Sequence, residues 1–274
     1  MHLLKLCNRF STNQFEHDIV GPRVSHTIPS NEYVCGVTLL DRELYVLRRR
    51  NRNQIDIYST STTDFALLHR RNIRRLSSNF IDIVSCLKKK CIYIADVGST
   101  CIHRVQSDRS ETKWLVMDQP RGVSVTPSSN LLVMFSNDGR HNVAELSGDS
   151  GHCIREIRLE IEPRHALLLN SGQLVVCHAN KVSQVADNGT VVRSTDKDVN
   201  LNSPYRMTAD NNNFVFVADQ ISKQVLLFDP SLTYVCTVME CTQYKHRPCR
   251  LCYDDVSRRL YVGNNEGDVI VVQL

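Results

Sequence analysis

Arginine is the most concentrated chemically capable side chain in this sequence. Arg48, Arg49, Arg50, Arg52, Arg70, Arg71, Arg74 and Arg75 fall between positions 48 and 75 against Asp56 and Asp64, a segment charge of +6 in a 274-residue chain whose total is +4. That one segment sets the sign of the whole molecule's charge. Lysine is absent from it. Arginine is the cation whose planar fork holds carboxylate or phosphate through two hydrogen bonds and stacks on flat rings. The stretch therefore suits an acidic protein surface or a nucleic-acid backbone. It lacks the interleaved aromatic residues that stacking on unpaired bases favours, with Phe80, Phe135 and Tyr205 the nearest candidates.

A second group is dispersed along the chain: Asp82, His165, Arg206 and Arg250, with Arg121 and Tyr205 each one position ahead of the residue that aligns with them. Gathered at one place, two guanidiniums would accept a carboxylate or phosphate. Paired with Asp82, one of them would instead be neutralised inside a structural cluster. The group does not match a catalytic zinc, which takes three protein ligands, because His165 is its one imidazole. Nor does a lone Asp82 supply the converging carboxylates that calcium requires. No catalytic residue, metal site or cofactor is expected from these residues. Cys249 and Cys252, three apart, would point to opposite faces of a strand and so make no metal pair.

These residues are positioned by a repeat. A short β-branched and aromatic run recurs as Glu43 to Leu47, Cys91 to Ala95, Asn130 to Met134, Gln173 to Cys177, Asn213 to Val217 and Arg259 to Gly263. The spacing of roughly 40 to 48 residues is that of propeller blades rather than of shorter solenoid repeats. Each run is flanked by further apolar stretches of a few residues, separated by Asn, Asp, Ser and Gly, the residues that make tight turns. Proline leads into the first strand at Pro120, Pro163, Pro204 and Pro248, where a strand can spare its N–H donor. Aligned on this pattern, Gly36, Asp82, Gly122, His165, Arg206 and Arg250 occupy one equivalent position at the start of each innermost strand, facing a central channel. The fold class is all-β, a six-bladed β-propeller. The last repeat ends at Val269 to Leu274 one strand short, so a piece of the N-terminal segment, Leu3 to Cys7 or Val24 to Ile28, is expected to close the ring and cover its open edge. The expected division is 1–32 as the segment supplying that strand and 33–274 as the blades, in one domain.

The stretches Cys91 to Val105 and Phe214 to Phe228 each run strand, Ala-Asp, polar turn, apolar strand. In this they resemble the NHL-repeat family, over about residues 33–274. The resemblance implies a six-bladed propeller, and relatives that bind either single-stranded RNA on a positive face or proteins. Asp96 and Asp219, the aspartates of those stretches, are read as turn-fixing acceptors of backbone N–H groups rather than as catalysts.

The expected function is a non-catalytic binding platform and not an enzyme: a scaffold taking a protein or peptide partner on the face formed by Arg48, Arg49, Arg50, Arg52, Arg74, Arg75, Arg121, His165, Tyr205, Arg206 and Arg250. Single-stranded RNA on that face is the alternative, and a propeller lyase or hydrolase a third. A composition 42% hydrophobic and 23% charged is that of a globular chain. No stretch is long and apolar enough to cross a bilayer, and MHLLKLCNRF lacks a signal peptide's pattern, so a cytoplasmic protein without membrane insertion is expected. The eleven cysteines, odd in number and scattered, are expected to be reduced, with Cys35, Cys86, Cys91, Cys177 and Cys236 serving as small buried hydrophobes.

Overall fold

The computed structural model describes residues 21–49, 54–72, 80–108, 110–137, 139–240 and 246–274. They form strands and turns, arranged as six four-stranded antiparallel sheets. Each sheet is one blade, and in the first five the strands run outward in chain order. The innermost strands are Val34–Leu40, Phe80–Cys86, Pro120–Val125, His165–Leu168, Pro204–Ala209 and Pro248–Asp254. These six surround the axis of a propeller, the expected fold.

The apolar runs read from the sequence are the second strands. Cys91–Asp96 is buried at every position, because a strand in the middle of a blade is covered by neighbouring blades on both faces. Outer strands are covered on one side at most, and Leu67–Asn72 is exposed nearly throughout. The core accordingly lies between blades. Phe216 and Leu227 of blade five, for example, pack with Leu251 and Val262 of blade six.

The hairpins joining first to second strands each carry a residue with positive φ: Arg42, Lys90, Ser129, Gly172, Asn213 and Arg258. Turn chemistry was expected at these places, although glycine fills one of the six positions. Glycine is demanded elsewhere, by close approach. A Cβ built on Gly36 would lie 2.4 Å from Ile83 Cγ2 and 2.9 Å from its backbone nitrogen.

Ring closure follows the expectation. Arg23–Ile28 pairs antiparallel with Val269–Gln273 and becomes the outermost strand of blade six, from Arg23 opposite Gln273 to Ile28 opposite Val269, with a one-residue bulge between Val24 and His26. It covers the edge that the last repeat leaves exposed. Asp268 Oδ1 then accepts Ser30 N–H at 3.2 Å. A fully buried arginine fastens the seam: Arg48 donates from Nη1 to Gly267 O at 2.6 Å and Glu32 O at 3.3 Å, and from Nε to Asp56 Oδ2 at 2.7 Å.

One expectation changes here. Cys236, on the half-buried outer strand Tyr234–Glu240, is disulfide-bonded, whereas the other described cysteines are free thiols. At the periphery of a blade a cysteine is not enclosed by neighbouring sheets as Cys177 is, and can meet another thiol. As to membranes, among the described residues no helix is long and apolar enough to cross one.

Candidate functional site

The innermost strands share an irregularity that the sequence does not announce. Their pairing with the second strand skips one residue between Val34 and Gly36, Phe80 and Asp82, Pro120 and Gly122, Pro204 and Arg206, and Pro248 and Arg250. In blade four Arg164 N–H bonds to Cys177 O while His165 already pairs with Cys177. The residue skipped in a bulge loses its place in the ladder, and its carbonyl is freed to point elsewhere. Here all six such carbonyls, of Cys35, Ile81, Arg121, Arg164, Tyr205 and Cys249, are collected by two arginines.

Arg206 donates from Nη1 to Arg164 O at 2.7 Å and Tyr205 O at 3.0 Å, and from Nη2 to Arg121 O at 3.1 Å. Arg250 donates from Nη1 to Cys249 O at 2.6 Å, from Nη2 to Ile81 O at 3.0 Å, and from Nε to Cys35 O. Both arginines are 3% exposed. Each guanidinium therefore satisfies three blades' worth of bulge carbonyls, and together they bind the ring across its axis. The Tyr205 ring lies over both, with Arg206 Cζ 4.6 Å and Arg250 Cζ 5.3 Å from its centroid. Tyrosine and guanidiniums thus seal the channel on the face where the innermost strands begin.

Beneath the seal, Asp82 Oδ2 stands 3.3 Å from Arg206 Nε and accepts Val123 N–H at 3.2 Å, while its Oδ1 accepts Ile83 N–H at 3.1 Å. His165 is clamped between blades three and five. Its Nδ1 accepts Met207 N–H at 3.3 Å, which leaves Nε2 to donate toward Val123 O at 3.4 Å. Burial, with the Arg206 charge in second place, pushes the His165 imidazole down to about 4. It is neutral at physiological pH. Two guanidiniums and one carboxylate then leave this layer with a net charge of +1.

The other side of the layer is open. A cavity of about 290 Å³ extends along the axis from Asp82, His165, Arg206 and Arg250 to the turns at the opposite face, including Thr126, Asn170 and Asn211. Side chains from all six innermost strands line it. Several of its hydroxyls tie one blade to the next: Thr38 Oγ1 donates to Ser85 Oγ at 2.9 Å, and Ser124 Oγ to Ala166 O at 2.8 Å. Thr208 and Cys252 are half-buried in its wall. Burial raises the Cys252 thiol to about 12, so it is not a ready nucleophile.

The sequence-expected residues are therefore brought together in part. Asp82, His165, Arg206, Arg250 and Tyr205 do converge. Arg121 is exposed on the sealed face, its Nε 3.4 Å from Ser136 O. Arg48 is a structural tie at the closure seam rather than a surface cation. Arg49 is exposed. Arg70 stands 3.5 Å from Asp56 and Arg71 3.3 Å from Glu111. Arg50, Arg52, Arg74 and Arg75 lie outside the described residues. The open cavity on the opposite face went unread, because Thr38, Ser85, Ser124 and Thr208 look like ordinary strand residues.

No family model matches the sequence, and no curated relative matches it. Solved structures do. Selenomethionine-substituted virginiamycin B lyase from Staphylococcus aureus aligns with a TM-score of 0.66 and 10% identity over 92% of this chain and 99% of that one. A catalytically inactive histidine-to-alanine variant of that lyase, solved with quinupristin, gives 0.69 and 10% over the same shares. A streptogramin B lyase gives 0.65 and 12% over 90% of this chain and 84% of that one. At these identities the likeness establishes the propeller fold. It also corrects the expected function: these similar propellers are lyases, which overturns the reading of a non-catalytic platform, whether protein scaffold or RNA reader. Two of the arginines meant to receive a partner, Arg206 and Arg250, already serve the ring's own carbonyls.

Proposed function

We propose that this chain is an enzyme of the propeller-lyase type, acting on a small polar or anionic molecule seated in the axial cavity. The carrying observation is that cavity, open at one face and closed at the other by a charged layer. Its volume lies near the lower end of the range for small-molecule sites, about 300 to 1,000 Å³. It would hold a small molecule or one moiety of a larger one.

A lyase removes a proton and expels a leaving group, the electron pair of the broken C–H bond becoming the new double bond. The step needs a base and a cation beside the charge that develops. Asp82 supplies the base. Its Oδ1 accepts one hydrogen bond, from Ile83 N–H, and keeps a second acceptor position. Arg206 and Arg250 supply the positive field from the cavity floor. His165 positions the floor and does not take the proton, since the Nδ1 lone pair is held by Met207 N–H and Nε2 carries the ring proton.

The finer description of the blades belongs with this proposal. We assign them to the NHL type, in one domain with 33–274 as blades and 1–32 as the segment bearing the closing strand. The support is the Ala-Asp turn. Asp219 Oδ1 accepts the N–H groups of Ser203, Ile221 and Ser222, and Asp96 Oδ1 that of Ser99.

Quinupristin, bound in one of the similar lyases, is the first probe. Incubated with the purified chain and followed by mass spectrometry, it is expected to be cleaved without gaining the mass of water. Gain of one water would identify a hydrolase instead, and neither turnover nor binding would count against this substrate class.

A further inference from the structure

Among the described residues, a second group of chemically capable side chains lies in blade two, away from the axial cavity. The strands Cys91–Asp96 and Cys101–Gln106 form a hairpin in which Asp96 stands directly opposite Cys101. Cys101 and His103 are two apart on a strand, so both project to the same face. His103 Nε2 lies 3.3 Å from Cys101 Sγ and 3.3 Å from Asp96 Oδ2. Ser99 Oγ lies 3.2 Å from Cys101 Sγ and donates to Asp96 Oδ2 at 2.6 Å. One ligand atom each from Asp96, Cys101 and His103 falls within a 4.8 Å span. Asp96 and Cys101 are wholly buried and His103 is 2% exposed.

The turn does not need this set. In blade five the same turn is built on Asp219, and the positions matching Cys101 and His103 are Gln224 and Leu226. In blade six, where Asn264 takes the place of the aspartate, they are Asp268 and Ile270. A buried thiol and imidazole together are thus an addition to a turn that blades five and six close without either.

We propose that Asp96, Cys101 and His103 form a zinc site, with Ser99 or a water in the fourth position. Zinc takes thiolate, imidazole and carboxylate ligands at about 2.0 to 2.3 Å in a tetrahedron, which sets its donors roughly 3.3 to 3.8 Å apart. The separations from His103 already match. Calcium and magnesium are disfavoured because they want oxygen donors throughout, while a sulfur and nitrogen set selects zinc. One thiolate and one carboxylate would balance the ion's charge. Burial raises the Cys101 thiol, so metal binding displaces its proton. The exposed Lys113 side chain, within hydrogen-bonding reach of Cys101, would then donate to the bound thiolate from outside the ligand shell. The site lies in one hairpin, so it would hold the hairpin and a blade turn rather than join the chemistry of the axis.

The test is a cobalt and zinc titration of the chelator-treated full chain. Cobalt is expected to give the near-ultraviolet thiolate-to-metal band, and zinc to displace it and raise the melting temperature. Cys101→Ser is expected to lose the band, His103→Gln to weaken zinc about tenfold or more, and Cys153→Ser, which changes an exposed thiol, to leave both intact. Absence of a thiolate band in the wild-type chain would overturn the proposal, whatever the folding of the variants. So would a band that survives in Cys101→Ser.

Discussion

His165 shows how burial converts a functional side chain into a structural one. Its folded-state value of about 4 lies below the ordinary 6.5, so between those values the unfolded chain binds a proton that the folded chain refuses. The contribution to stability is full above pH 6.5 and falls as pH drops toward 4, by on the order of 3 kcal/mol for a shift of that size. The melting temperature is expected to fall over that window, and His165→Gln to flatten the fall when both proteins are melted side by side. Arg250 is the parallel case. Arg250→Met would leave the carbonyls of Cys35, Ile81 and Cys249 without their donor, a loss of roughly 2 to 4 kcal/mol in urea unfolding. Arg250→Lys is expected to recover part of it, because a compact ammonium does not reproduce the fork. The alignment of repeats placed Asp82, His165, Arg206 and Arg250 together correctly. It missed what they bond to, since a one-residue bulge leaves no trace in composition or periodicity. Arg48 was misread for a related reason: its partner Gly267 is 219 positions away, and a buried long-range tie looks in sequence like one more loop cation.

The blades were legible because every repeat spells out its second strand in β-branched and aromatic residues, and because turn residues punctuate them at even intervals. The closing strand was legible from a deficit, the last repeat ending one strand short. Which of two pieces filled it was not, because apolar content alone favours Leu3 to Cys7 over Val24 to Ile28, whereas Val24 to Ile28 is the piece richer in β-branched residues and lies next to the first blade. The seam formed by Arg23–Ile28 on Val269–Gln273 buries an edge whose residues Val269, Ile270, Val271 and Val272 are all at most 1% exposed. Removing residues 1–30 would lay that edge bare as a template for pairing between chains. Aggregation on size-exclusion chromatography is the expected outcome, and a stable monomeric truncation would show that the seam is dispensable. The strand pattern also concealed chemistry. Cys101, Ile102 and His103 read as an ordinary outward and inward alternation until the hairpin set them against Asp96.

The molecule as a whole is asymmetric along its axis: sealed on one face by Tyr205, Arg206 and Arg250, and open on the other into a cavity with a charged floor. The sequence directed attention to the sealed face, where the arginine-rich segment was expected, and the chemistry is proposed for the open one. The deciding measurement is the quinupristin cleavage rate of four proteins assayed together: wild type, Asp82→Asn, Thr208→Val and Arg49→Ala. Asp82→Asn removes the proposed base and Thr208→Val changes the cavity wall with little change in volume, whereas Arg49 is exposed on the sealed face. Wild type and Arg49→Ala are expected to cleave at similar rates, Asp82→Asn to lose about a hundredfold or more, and Thr208→Val to be slowed with its fold intact. Activity that falls with Arg49→Ala while Asp82→Asn retains it would contradict an active site in the axial cavity, and a wild type that neither binds nor cleaves would contradict the substrate class.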